Sequence, residues 1–315
     1  ALGLLHLILA LMAFHQAPFT GGDDATYISL AKSLVQGHGY SDIWDPGMHP
    51  QTQYPPIFAS LVAVGLLAGL SIASGLKLMM VALSAVTVFA SCAWLRRVSS
   101  PAVAFGAGFF IAISPEIIRL GRVVLSDVPF WLFSVLALLA WRHADRKSRE
   151  IGGTETMPLV WVIIATMATL AAYFTRSAGA PLLVATFAWL VLRRQRRAVL
   201  IVAAFSIPLI LAWWYRGHVA GAGGYLAPFL SVSPYDPASG NVTFMDLLDR
   251  FAGNVNAYTT RQLSRLVFGN PLHQLMFGVP FVAAMLYGWL SRLRRCSLAE
   301  IWFPIYVALV ILWPV

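Results

Sequence analysis

Charge is scarce in this sequence, and acid is scarcer than base. Of 315 residues, 11% are Asp, Glu, Lys or Arg, with 13 acids against 22 bases. Soluble domains carry roughly 25% charged residues. Here 59% of the residues are hydrophobic and the mean hydropathy is +0.73, which leaves too little polar surface to clothe a water-soluble fold. Cysteine is nearly absent: Cys92 stands in an apolar run and Cys296 beside a basic cluster, a pattern that excludes a disulfide framework and a cysteine-based metal site. Internal repeats, heptads and low-complexity tracts are missing too. Gly221-Ala222-Gly223-Gly224 lacks the strand–turn–helix setting of a phosphate-cradling loop. Residues 1–19 are apolar but carry no basic n-region, so they are expected to be the remainder of a first membrane helix rather than a signal peptide.

What the sequence has in abundance is apolar runs. A membrane span needs roughly 20 such residues. The candidates are 1–19, 76–95, 101–115, 128–141, 158–175, 178–192, 198–214, 276–291 and 299–315. Thirteen of the 22 bases fall in four short clusters between runs: Arg96-Arg97, Arg142 to Arg149, Arg193 to Arg197 and Arg292 to Arg295. That is the positive-inside pattern, so the net charge of +9 reports topology and not nucleic-acid binding. Counting 57–75 as a span would put Arg96-Arg97 on the opposite side from the other clusters. Ile57 to Leu70 is therefore expected to lie in the outer interface. The fold class that follows is an all-α polytopic bundle of about nine spans, a single domain over 1–315, with further sequence expected beyond Val315. It is expected in the inner (cytoplasmic) membrane with its N-terminus cytoplasmic, among membrane lipids. Three loops face outward, 20–56, 114–127 and 215–274, and nine of the 13 acids lie in them.

The first outer loop opens with Gly22-Asp23-Asp24-Ala25-Thr26-Tyr27. Tyr27, Leu30, Ala31 and Leu34 recur at helical spacing and Gly37 stops the helix, so a short amphipathic helix is expected there. One aspartate suffices to cap it. A second carboxylate at the mouth of a membrane helix is costly unless something uses it. Asp42, Asp45, His38 and His49 follow, with spacings that match no familiar metal-ligand pattern. Tyr54-Pro55-Pro56 then starts the interfacial segment, since proline is tolerated only in a first helical turn.

The second outer loop carries Glu116, Arg119, Arg122, Ser126 and Asp127, followed by Pro129. Arg119 and Arg122 share a face if the segment is helical. Asp127 caps the next span or belongs to a charged pocket with the arginines, whose planar forks suit phosphate. Arg176, at the turn between two spans, is either a snorkelling interfacial residue or a third phosphate contact. The third loop holds Tyr225, Tyr235, Asp236, Asp246, Asp249 and Arg250, with an amphipathic helix expected over Phe244 to Phe251. At that length it reads as a lid or as a plain connector.

In this order the motifs resemble the C-type membrane glycosyltransferases. The nearest branch is the bacterial one related to protein O-mannosyltransferases and lipid A aminoarabinose transferases. The matching features are Asp23-Asp24 after the first span, Gly37-His38-Gly39-Tyr40, Tyr54-Pro55-Pro56, and Arg122 followed by Leu125-Ser126-Asp127-Val128-Pro129. The resemblance implies an inverting transferase that moves a sugar from a polyprenyl-phosphate donor to a hydroxyl on a lipid, glycan or protein acceptor, on the outer face. It implies Asp23 as general base, Asp127 as the second pocket carboxylate, and Asp24, Tyr54, Arg119, Arg122 and Arg176 as substrate-binding residues. No resident cofactor is implied, although related oligosaccharyltransferases hold a divalent metal partly with acids of these two loops. The family often has Glu second in the acidic pair, where this chain has Asp24. The aminoarabinose transferases place Lys before the proline pair, where this chain has Tyr54. The alternative reading is a multi-pass transporter or lipid flippase. Against it stand the lack of inverted repeats and the concentration of charge at one face.

Overall fold

The computed structural model describes residues 1–16, 22–150, 156–220, 229–233, 236–268 and 274–314. It is nearly all-α, and the chain falls into two compact units, Ala1–Gly179 and Ala180–Val315.

The first unit contains α1 (Leu2–Met12), α2 (Asp23–Val35), α3 (Pro56–Leu67), α4 (Gly75–Val98), α5 (Pro101–Ile113), α6 (Pro115–Leu120), α7 (Asp127–Glu150) and α8 (Leu159–Thr175). Helix α4 is its hub, packing against α1, α3, α5 and α7, while α7 pairs extensively with α8 and α2 with α3. Small residues allow the close approaches. A methyl added at Gly3 would meet the Ala85 carbonyl of α4, and one at Gly108 would meet Cys92 Sγ at 2.7 Å. Small residues do the same work between membrane helices, where backbones must approach closely.

Buried hydroxyls in these helices turn back on their own backbone. Ser91 donates to the Thr87 carbonyl, Ser134 to Phe130, Thr166 to Val162 and Thr169 to Ala165, all at 2.7–2.8 Å. A polar group without water must find such a partner or cost several kcal/mol, on the order of 2–7. Trp141 on α7 donates to Thr169 Oγ1 on α8 at 3.0 Å and so ties the pair together. His6 on α1 is fully buried, with Nδ1 2.9 Å from the Ala112 carbonyl of α5 and Nε2 3.1 Å from Ser84 Oγ of α4.

The second unit contains α9 (Ala180–Leu192), α10 (Arg196–Val219), a hairpin of β1 (Ser231–Ser233) and β2 (Asp236–Asn241), α11 (Phe244–Ala257), α12 (Leu263–Phe268), α13 (Gln274–Leu290) and α14 (Leu298–Leu312). A π-helical stretch, Tyr258–Gln262, joins α11 to α12. Within this unit α9 packs against α10 and α14.

Among the described residues two helices, α4 and α10, are long and apolar enough to cross a membrane. Helix α10 spans about 36 Å at 1.5 Å per residue, and only 17% of its apolar stretch is buried inside the protein. Helices α1, α3, α5, α8, α9 and α14 are apolar but shorter, at 10–17 residues. Helix α7 reaches 24 residues because its basic second half, Arg142 to Glu150, continues helical beyond the expected 128–141. Helix α3 starts at Pro56 as expected and stops at Leu67. Its Phe58, Ala59 and Val62 are buried, while Val64 and Leu67 are exposed.

Among its described residues, the segment 215–274, expected as a long loop with a short amphipathic helix over Phe244 to Phe251, holds further regular elements. Helix α10 extends to Val219 and the hairpin and α11 follow. The amphipathic helix runs to Ala257, beyond the expected Phe251, because Thr243 and Asp246 form a reciprocal capping box at its start and its apolar spacing continues through Val255. Gly221 to Gly224, Tyr225 and Tyr235 lie outside the described residues.

Gly121 closes the turn after α6 against α4: an added methyl would sit 2.6 Å from Ser84 Oγ and 2.8 Å from Ser84 Cβ. Gly121→Ala is expected to cost about 1–3 kcal/mol of stability in detergent, as overpacking does. Gly106→Ala, where a methyl meets nothing within 4 Å, is expected to be neutral or stabilising. Thermal unfolding of both variants checks this, and equal losses would show that the Ser84 contact is not the reason for glycine at 121.

Candidate functional site

The site lies in the first unit, where α2, the following loop and the start of α7 meet. Gly22, with φ of 36°, turns the chain into α2, which begins at Asp23. The two acids then separate. Asp24 is 2% exposed, and its Oδ1 accepts the adjacent Ala25 N–H at 2.8 Å within the first turn. Asp23 is exposed and accepts a hydrogen bond from the Tyr54 hydroxyl at 2.9 Å. Neither acid caps α2, whose N-cap is Gly22; Asp24 is turned inward and Asp23 faces outward with one oxygen oriented by a phenol.

One turn further along α2, Tyr27 is 3% exposed. Its ring meets Tyr54 and Phe58 edge-on, with centroids 5.1 and 4.7 Å away. Its hydroxyl donates to Ser126 Oγ at 2.9 Å, across 99 residues of sequence. Beneath lie Ile28, Leu30 and Ala31 of α2, Ala59 and Val62 of α3, Leu76 and Met80 of α4, and Val124 and Val128, a buried apolar floor.

The motif Gly37-His38-Gly39-Tyr40 is a structural device. Gly37 and Gly39 adopt φ of 81° and 75°, conformations costly for a side chain. The chain folds back so that Ser33 donates to the Gly39 carbonyl at 2.9 Å and Tyr40 to the Tyr54 carbonyl at 2.9 Å. Tyr40 thereby fixes Tyr54 and the start of α3.

Asp127 opens α7 beside Ser126 and pairs with Arg176, at the end of α8, at 2.7 Å. Thus Asp23, Tyr54, Ser126, Asp127 and Arg176 are linked through two hydrogen bonds, one ion pair and the Tyr27–Tyr54 ring contact. The other two arginines have different partners. Arg119 forms a fork with Glu116 at 2.9 and 2.5 Å on the surface of α6. Arg122 donates to the carbonyls of Ala13 and Ile118, at the ends of α1 and α6.

Sequence reasoning passed over Lys77, the lone cation within the apolar run of α4. Its side chain is 1% exposed, and its ammonium donates to the His15 carbonyl at 2.9 Å and lies 5.9 Å from the Phe14 ring centre. A cation inside an apolar helix was the signal available.

Among the described residues no three His, Cys, Asp or Glu side chains gather as metal ligands.

Further out, the loop 41–50 closes through a bridge between Ser41 and Pro50, with Asp42 accepting from Gln51 at 2.9 Å and Asp45 paired with His49. The Asp45 carboxylate raises the His49 imidazole above its ordinary value, and the His49 hydrogen bond holds Asp45 below its own. The raised imidazole makes the pair fully present below about pH 6.5 and lost as pH rises through the His49 value; the depressed carboxylate loses it as pH falls below about 3.9. In a ¹³C-histidine titration, with His49→Gln identifying the signal, His49 is expected to titrate above the ordinary imidazole value. Asp45→Asn is expected to bring it down, and an unmoved midpoint would mean the pair does not form.

Comparisons with models of protein families, with characterised proteins and with solved structures return no match.

Proposed function

We propose that the protein is an inverting membrane glycosyltransferase that moves a sugar from a polyprenyl-phosphate donor to a hydroxyl acceptor. In this reading the chain crosses the membrane about nine times, as a C-type transferase does, and the site faces the non-cytoplasmic side. The donor has a membrane-bound tail, a phosphate at headgroup level and a sugar in water. The observation that carries the reading is the Tyr27–Ser126 hydrogen bond, which joins two carboxylate-bearing segments about a hundred residues apart. Asp23 is held by Tyr54, Asp127 by Arg176, and the two segments are joined by the Tyr27–Ser126 hydrogen bond.

The chemistry is a single displacement. The Tyr54 hydroxyl occupies Oδ1 of Asp23 and leaves Oδ2 to take the proton of the acceptor hydroxyl. The acceptor oxygen bonds to the anomeric carbon as the bond from that carbon to the phosphate oxygen breaks, with inversion. The electron pair leaves on the lipid phosphate. Positioned bases of this kind contribute typically 10²–10⁴-fold. Asp127, braced by Arg176, orients acceptor or sugar. Arg119, Arg122 and Arg176 serve the departing phosphate, where negative charge grows and planar guanidinium forks suit its oxygens. Asp24, buried in the first turn of α2, supports Asp23 from the neighbouring position.

Sugar transfer from a set of synthetic polyprenyl-phosphate donors in reconstituted membranes tests this. Asp23→Asn is expected to lower turnover by about 10²–10⁴-fold with donor binding retained, and Asp127→Asn to lose less. Asp24→Asn is expected to act mainly through stability, because it is buried. If no donor is consumed while a polyprenyl phosphate or solute crosses the bilayer, the protein is a transporter and these roles are wrong.

A further inference from the structure

We propose that α11 lies flat in the membrane–water interface opposite the basic turns, with Phe244, Leu248, Phe251 and Val255 immersed in lipid. The inference rests on the membrane placement of the chain and not on the reaction proposed above.

Helix α11 has three distinct sides. Phe244, Leu248, Phe251 and Val255 recur at i, i+4, i+7 and i+11, so they form one line along the helix. All four are exposed, Phe244 at 75%, and Met245 beside them is exposed at 67%. A second side faces protein. Arg250 donates to the Phe229 carbonyl at 2.8 Å and to the Ser231 carbonyl. Asn254, 6% exposed, donates to the carbonyls of Ile311 and Trp313, both at 2.7 Å. The third side carries Asp246, Asp249 and Asn256, and Thr243 hydrogen bonds hold the Asp246 carboxyl below the usual range. Protein, lipid and water each have a matching side.

The depth of α11 follows from what it is tied to. Helix α14 begins directly after the basic turn Leu293–Arg295, where Arg292 pairs with Glu300 at 2.9 Å. Ile311 and Trp313 are at its other end, about 22 Å away along 15 residues. Asn254 therefore pins α11 to the end remote from the basic cluster. Aromatic rings mark the same level: Trp313 contacts Phe229 with centroids 5.9 Å apart. Helix α10 has four arginines over Arg193 to Arg197 at its start, and toward its end the exposed Trp214 and Tyr215 stand beside Arg216 and His218. Bases at one end and amphipathic aromatics at the other are the marks of the two membrane interfaces.

Lipid suits this face better than protein. The stripe covers about 21 Å by 10 Å, a few hundred Å², against the ~800 Å² per partner of a standard protein interface. It carries no charge, and the one base of α11, Arg250, is spent on backbone carbonyls. Insertion is therefore driven by apolar area and needs no anionic lipid.

The test is spin labelling of the full chain in phosphatidylcholine vesicles, in a Cys92→Ala, Cys296→Ala background. Single cysteines carry the label at 244, 248, 251 and 255, and at 246, 249 and 256. The first group is expected to collide severalfold more with dissolved oxygen than with a water-soluble nickel chelate, at depths of about 5–10 Å. The second group is expected to show the reverse, and anionic lipid to change neither. Nickel access to the stripe would overturn the proposal in favour of a solvated face. Shielding from both agents would overturn it in favour of a protein partner or a second copy. Sugar transfer is measured separately, so failure of the transferase reading leaves this outcome distinguishable.

Discussion

The hydrogen bond from Tyr27 to Ser126 is the contact on which the candidate site depends. A tyrosine packed at 3% exposure among aromatic rings must find a partner for its hydroxyl, because leaving that group unpaired in an apolar setting costs on the order of 1–3 kcal/mol. Ser126 supplies the partner from the entrance of α7. The ring of Tyr27 meanwhile seats Tyr54 and Phe58 at the start of α3. One side chain thus joins three elements, and each delivers a functional group: α2 brings Asp23, the approach to α3 brings Tyr54, and α7 brings Asp127.

Beneath that junction the structure carries polar groups through apolar layers under a consistent rule. Hydroxyls return to their own helix four residues back, Trp141 meets Thr169, and His6 bridges helices α4 and α5 through Ser84 and the Ala112 carbonyl. Lys77 obeys the same rule with higher stakes, since a buried charge is tolerated only when paired or solvated by dipoles. Its ammonium reaches the carbonyl of His15 beyond the end of α1, and Asp24 acts on it electrostatically from the first turn of α2. Arg122 holds the Ala13 carbonyl in the same stretch of chain. Two cations therefore anchor the stretch of chain just beyond α1, which couples it to the floor of the site.

The transferase and transporter readings make different use of these features. A translocation path needs polar groups distributed through the membrane depth. In the first unit Asp23, Asp24, Asp127 and Arg176 instead stand where α2 and α7 begin and α8 ends, while Lys77, near the start of α4, and His6 in α1 sit in apolar runs. A site at the helix ends suits chemistry at headgroup level, with Tyr54 leaving one oxygen of Asp23 open.

Much of the local structure was legible in the sequence because it depends on neighbours along the chain. Gly37 stops α2, Pro56 starts α3, the apolar spacing of 244 to 255 makes an amphipathic helix, and the basic clusters close the apolar runs. These are backbone and periodicity effects that act within a turn or two. Helix ends were less legible: α7 runs nine residues past the expected 141, because an alternation of Arg, Lys, Asp and Glu at i, i+4 supports a helix once it has started. The division of labour between Asp23 and Asp24 was invisible, since adjacent identical residues differ only in what a helix turns toward the interior. Likewise Arg119, Arg122 and Arg176 look equivalent in sequence, and only folding gives one to Glu116, one to backbone carbonyls and one to Asp127. Residue types and local periodicity determined the elements and the chemistry on offer; long-range packing, by deciding which polar group each buried donor reaches, determined which residues meet.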